Sequence, residues 1–165
     1  MPGTLTEDPE RILMQAGADA GVLAHCRAVS AVARAWEHNP LVDGGLLRAG
    51  AMLHDIGRTV THTVAHAQGG ARLCRSLGLP EEVAKIVERH IGAGLTADEC
   101  SLLRLLPKDC MPESIEERIV AHADNCVEGA REASIYRLLQ DSTWLKRRVR
   151  KRIYRLSLEM EQIRG

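Results

Sequence analysis

The sequence predicts an all-α fold, and three observations carry that prediction. Apolar residues recur three or four positions apart through most of the 165-residue chain, the spacing of one buried helix face. Capping residues, prolines and glycines stand where such helices would begin and end. Hydrophobic residues make up 45% of the chain but aromatics only 2%, with no Phe. The core must then be built from Leu, Ile, Val, Ala and Met, a set that favours helices over sheets. No strand-like alternation of useful length, internal repeat, low-complexity tract or linker divides the chain. One domain over residues 1–165 is expected.

Taken in order, Thr6 before Glu7-Asp8-Pro9-Glu10 opens a first helix, which weakens at Gly17. Ala20 to Glu37 forms a second, with Val22, His25, Val29, Val32 and Trp36 on one stripe, and His38-Asn39-Pro40 breaks it. Asp43 starts a third that runs into His54-Asp55. After a loop containing Thr59, Thr61 and Thr63, Val64 to Leu77 is helical and Gly78 stops it. Pro80 with Glu81 and Glu82 opens a helix to His90, and Gly92 and Gly94 terminate it. Thr96 with Glu99, and Ser114 with Glu117, have capping-box spacing. A last helix, from Ser142 to Ile163, carries Leu145, Val149, Ile153, Leu156, Met160 and Ile163 on one stripe.

Formal net charge is zero, which argues against a general nucleic-acid binder but leaves room for a local basic patch. The five cysteines at 26, 74, 100, 110 and 126 form no CxxC pair. An odd, irregular set does not make a disulfide framework and fits a reducing cytoplasm. Cys26 and Cys126 read as small core residues. The polar, acidic N-terminus is no signal peptide, and no apolar run approaches membrane-spanning length. A soluble cytoplasmic protein is expected, with no membrane partner.

The chemistry concentrates at His54-Asp55-Ile56-Gly57. The preceding Leu46-Leu47-Arg48-Ala49-Gly50-Ala51-Met52-Leu53 delivers the pair to the interior, and Gly57 stops the chain just after it. Burying an ionised carboxylate beside an imidazole is costly unless a cation compensates. A divalent metal is the commonest such cation, since both side chains are ready ligands; the alternative is a hydrogen-bonded His–Asp pair at a helix C-terminus. Asp124 is a second signal, a short acid within the apolar helix stretch Ile119-Val120-Ala121-His122-Ala123-Asp124-Asn125, where it would face the core. Helices carrying His25, His54, Asp55, His66, His90 and Asp124 could converge on one metal site.

This order of residues, with the segments Ala51 to Arg58, Ile86 to Gly94 and Ile119 to Asn125, resembles the HD-domain superfamily of metal-dependent phosphohydrolases, in its HDIG subgroup. The likeness covers about residues 20–128 and is nearest to small stand-alone archaeal and bacterial members. It implies an HD-type helical bundle. It also implies that His25, His54, Asp55 and Asp124 hold a first metal, that Asp55 bridges, and that His66 and His90 complete a second site. His62 is a rival to His66. The mixed imidazole and carboxylate set suits Fe, Mn, Zn, Co or Ni, with two metals per chain favoured.

The implied activity is hydrolysis of a phosphodiester or nucleotide-type phosphoester, in which metal-activated hydroxide attacks phosphorus. Asp55 orients the nucleophile, and Arg58 stands where many members place a phosphate-contacting lysine. Arg58 as a solvated charge at a helix end remains the alternative. The substrate would be small, phosphorylated and nucleotide-like. Two other readings stay open: a di-iron oxygenase built on the same ligand order, and a metal-containing binding module without turnover.

The remaining features read structurally. His38 fits a favoured imidazole at a helix C-terminus, and His122, two residues from Asp124, falls on another helix face, behind the ligands or at the surface. Gly69-Gly70 would allow close helix approach. Lys146, Arg147, Arg148, Arg150, Lys151, Arg152 and Arg155 crowd the last helix. A patch for RNA or another polyanion is the less favoured reading, since aromatic stacking residues are scarce. A solvated face is preferred, and self-association through that helix stays open.

Overall fold

The computed structural model describes residues 7–164. The described residues are mostly helical: α1 (Pro9–Gln15), α2 (Ala20–Ala33), α3 (Gly44–Leu53), α4 (His66–Ser76), α5 (Glu81–Arg89), α6 (Ala97–Leu102), α7 (Ile115–Asn125), α8 (Ile135–Asp141) and α9 (Arg147–Gln162). The all-α expectation holds. Helix α3 is the central element and packs against α1, α2, α5 and α7. One side of it puts Leu47 and Ala51 into a core with Val29, Trp36, Ile86, Ile119, Val120, Ile153, Leu156 and Met160. Ala49 and Leu53 join a second core with Leu13, Cys26, Ile56, Ala71, Cys74, Val83 and Val87. With so few aromatics, burial of each aliphatic side chain at about 1.5–3 kcal/mol carries most of the stabilisation. All five cysteines are free thiols.

Several boundaries differ from those read off the sequence. Thr6 lies outside the described residues; the cap of α1 is Asp8, whose Oδ1 accepts from the Glu10 N–H at 3.2 Å. The second helix is shorter than Ala20 to Glu37, because the chain tightens into a 3-10 turn at Arg34–Trp36. The Thr96–Glu99 capping box is complete. Ser114 caps α7, but the Glu117 carboxylate reaches past it to the Glu113 N–H at 2.7 Å and pairs with Arg89 at 2.9 Å. That buried pair ties α5 to α7 and sets His90 against Asp124.

Two elements escaped the sequence reading altogether. Val127–Glu128 and Arg131–Glu132 form a two-stranded antiparallel hairpin, β1 and β2, closed by Gly129 at φ 60°. A left-handed glycine in a two-residue loop matches the twist of the strands. Helix α8 has no fully buried residue. Its short stripe of Ile135, Leu138 and Leu139 is only partly buried against the core, too brief a pattern to mark a helix of seven residues. The last helix begins at Arg147 rather than Ser142, after a corner in which the Leu145 N–H donates to the Ser142 carbonyl at 2.9 Å. It is fastened by Trp36 Nε1 donating to the Met160 carbonyl at 2.8 Å and by Arg152 donating to Glu99 Oε2 at 2.7 Å.

Candidate metal centre

The central helix ends at Leu53; His54 is its cap and Asp55 leaves helical geometry at φ −100°, ψ 15°. A 3-10 turn over Ile56–Thr59 follows. Gly57 therefore does not stop a helix. A Cβ on it would lie 1.9 Å from the His66 carbonyl oxygen and 2.7 Å from the Gly70 nitrogen. The bare glycine lets the turn lie flat on the start of α4, with Gly70 as its counterpart. That contact brings the Asp55 carboxylate up to the His66 ring.

Four imidazoles converge. In each, Nδ1 donates to a backbone carbonyl: His54 to Ala51 at 2.8 Å, His66 to Thr63 at 2.8 Å, His90 to Val87 at 2.7 Å and His25 to Gly129 at 2.7 Å. A carbonyl can only accept, so the proton of each neutral ring sits on Nδ1 and Nε2 presents a lone pair inward. The inward atoms are close, His25 to His54 at 3.3 Å and His66 to His90 at 3.2 Å.

The two carboxylates thread between them. Asp55 Oδ1 faces His66 Nε2 at 3.0 Å and His90 Nε2 at 3.4 Å, while Oδ2 faces His25 at 3.7 Å and His54 at 3.9 Å. Asp124 Oδ1 stands 3.0 Å from His25 Nε2 and 3.5 Å from His54 Nε2. Ligand atoms close enough to share a cation fall into three overlapping sets: His25, His54 and Asp55; His54, His90 and Asp124; Asp55, His66 and His90. Converging lone pairs and anionic oxygens, each imidazole fixed from behind by a carbonyl, is the donor chemistry of a divalent transition-metal site. The residues present fit such a group.

Electrostatics run the same way. Burial alone would raise the Asp55 carboxyl, but His54, His66 and His90 outweigh it and hold it far below the usual carboxylate range. Burial likewise opposes ionisation of Asp124, and His25 and His54 overcome it. Burial would depress His54 and His25; the neighbouring carboxylates raise both, His54 strongly. His90 stays lowered by its burial.

The centre opens into a cavity of about 320 Å³ lined by Gly21, Val22, Arg58, His62, Ile91 and the cluster itself. Arg58 Nε lies 3.5 Å from Asp55 Oδ2, and its Nη1 donates to the His62 carbonyl at 2.7 Å. The guanidinium is therefore held at the mouth beside the cluster. All six metal-ligand candidates come together; His62 does not join them and stands exposed at the rim. His38 is exposed. His122 is neither at the surface nor behind the ligands: it is buried, edge-on to Trp36 with ring centroids 5.5 Å apart, and 3.4 Å from Glu161 Oε1. Its position two residues before Asp124 turns it into the opposite core. Sequence reasoning missed the Gly129 carbonyl behind His25. The one available signal was a glycine in a polar stretch, Glu128-Gly129-Ala130-Arg131.

The HD domain family profile matches residues 22–128, and the chain belongs to that family. An uncharacterized protein of Methanocaldococcus jannaschii is 46% identical over 123 residues, 69% of this chain and 70% of that protein. A tRNA (cytidine(56)-2'-O)-methyltransferase of Picrophilus torridus is 42% identical over 128 residues, 78% of this chain but 38% of its own length. This chain thus spans well under half of that relative. Among solved structures, the HD domain of the L. monocytogenes phosphodiesterase PgpH, in complex with cyclic-di-AMP, superposes with a TM-score of 0.59 at 17% identity, covering 93% of this chain and 94% of that one. At that identity the likeness establishes the helical fold. No described helix is long and apolar enough to cross a membrane.

Proposed function

We propose that this chain, as a single HD domain, is a metal-dependent phosphohydrolase with a binuclear centre, acting on a phosphodiester or nucleotide-type phosphoester. The observation that carries the reading is the Asp55 carboxylate, whose two oxygens each face a different histidine pair. His25, His54, Asp55 and Asp124 would hold one cation; His66 and His90, with the other Asp55 oxygen, would hold the second. When bound, such metals supply Lewis acidity at the phosphoryl group and a hydroxide nucleophile near neutral pH. Fe, Mn, Zn, Co and Ni all suit the donors.

The chain's own side chains do the rest. The Nδ1–carbonyl bonds keep four imidazoles in the ligating tautomer, and Asp55 balances the positive charge while aligning the attacking water. Arg58, the cation at the mouth, would take a non-bridging phosphoryl oxygen through its planar fork. The cavity, lined also by Gly21, Val22 and Ile91, leaves room for a nucleoside-sized group. The cyclic dinucleotide held by the PgpH domain supports a nucleotide-like substrate, and the RNA substrate of the methyltransferase relative adds RNA phosphodiesters to the classes worth testing. Methyl transfer is not carried over, because the shared region is 38% of that relative. The absence of paired cysteines supports a cytoplasmic setting.

The test is a hydrolysis screen of the metal-reconstituted protein against cyclic dinucleotides, nucleoside monophosphates and short RNAs. Wild-type turnover, abolished in Asp55→Ala and reduced about 100-fold in kcat/KM in Arg58→Ala, is expected. Turnover that needs dioxygen, or metal retention with no hydrolysis of any phosphoester, would overturn the reading.

A further inference from the structure

The chain has four aromatic residues outside histidine, Trp36, Tyr136, Trp144 and Tyr154, and it buries one of them. Trp36 sits in the core, whereas Trp144 is 79% exposed, Tyr136 62% and Tyr154 40%. A chain so poor in aromatics would gain most by burying all four, since such rings dominate core energetics. Instead, the three exposed rings lie in one short C-terminal stretch, the stretch that also carries the basic run.

The cations there divide into two groups. Arg148 and Arg152 are committed to Glu99 at 3.3 and 2.7 Å, and Arg150 donates to the Leu139 carbonyl at 2.6 Å. Lys146, Arg147, Lys151 and Arg155 are exposed, and no acidic partner among the described residues reaches them. Arg147, Lys151, Tyr154 and Arg155 follow the i, i+4, i+7, i+8 spacing of one helix face, opposite the buried Ile153, Leu156 and Met160. Trp144 stands three residues before the stripe begins. No acidic residue occurs between Asp141 and Glu159.

We infer that this outer face of α9 is a binding surface for single-stranded RNA. Unpaired cations along one stripe take successive phosphates, and the exposed rings stack bases without selecting among them. The face belongs to residues that the metal centre does not use, so it presents a polynucleotide to the protein without taking part in turnover. An anionic membrane suits it less well: the apolar side of α9 is spent in the core, leaving only isolated rings and Leu158 outside.

The experiment is fluorescence anisotropy of a labelled single-stranded RNA oligonucleotide titrated with wild type, with the triple variant R147Q/K151Q/R155Q, and with Trp144→Ala and Tyr154→Ala, across a salt series. The expected result is wild-type binding that the triple variant weakens at least tenfold at low salt. The slope of log K against log salt should fall by about 2, at ~0.7 per phosphate contact. Loss of a stacking ring should weaken binding about tenfold at any salt. All five sites are exposed, so thermal unfolding and metal content should match wild type, which separates this test from that of the hydrolase. RNA binding that is absent at low salt, or unchanged in the triple variant, overturns the proposal. So does a triple variant that loses binding to phosphatidylserine vesicles, or loses self-association on sizing columns, while the wild type shows no affinity for RNA.

Discussion

Three of the four converging histidines, His54, His66 and His90, take their backbone partner from the carbonyl three residues earlier in the chain. His25 takes its partner from Gly129, 104 residues away, across a surface hairpin. The first group is buried, and His66 in it is pressed against the Gly57–Gly70 contact; the side chain of His25 is 18% exposed. One part of the centre is thus fixed by local helix geometry and close packing. The other is fixed by where a hairpin happens to lie. This difference predicts which substitutions damage the whole fold and which loosen one ligand.

The largest effect is expected at the packed part. Gly57→Ala puts a methyl into the His66 backbone, where nothing flexible can yield, and should cost about 3 kcal/mol or more. Chemical denaturation should show a lower midpoint, with metal binding lost in parallel. A variant as stable as wild type would mean that the turn is free to move and that the glycine has another role.

A smaller and more selective effect is expected at the hairpin. Gly129→Val opposes a φ of 60° in open space, and Gly78→Val opposes a φ of 70° in equally open space at the end of α4. Each substitution pays a similar backbone cost, about 1–2 kcal/mol. Only the first moves the carbonyl behind His25, so only it should lower metal affinity, by about tenfold. Chelator competition distinguishes the two; equal loss of affinity in both would reduce the hairpin to a general stability element. Gly129→Asn, which tolerates the left-handed region, should restore tight binding.

The mildest effect is one of pH. The Arg152 hydrogen bond lowers the Glu99 carboxyl below its ordinary 4.5, with burial opposing. A carboxyl depressed in the folded state contributes stability above its unfolded pKa and loses it as pH falls through the folded one. Below about pH 4 the fastening of α9 should weaken, and Glu99→Gln should flatten that part of the stability profile. An unchanged profile would place the fastening with Trp36 and Met160 alone.

The same division explains what could be read from the sequence. Most of the helices, several of their caps and the ordered ligand set were visible because helix spacing is a local property. The carbonyls behind His54 and His90 follow from it; the one behind His66 belongs to the turn before α4. Gly57 was visible as a special residue, but its role as a close-packing contact with α4 depends on tertiary approach. The hairpin, α8 and the inward turn of His122 were missed, since two-residue strands carry no periodicity and the stripe of Ile135, Leu138 and Leu139 spans little more than one turn. The exposure of Trp144 and Tyr154 was equally hidden, since it depends on how the last helix packs.

The central claim is a two-metal centre bridged by Asp55, and elemental analysis of anaerobically purified protein tests it most directly. Wild type should hold about two divalent metals per chain, His90→Ala about one, and Asp124→Ala should lose the other site. At most one metal in wild type, left unchanged by His90→Ala, would contradict it.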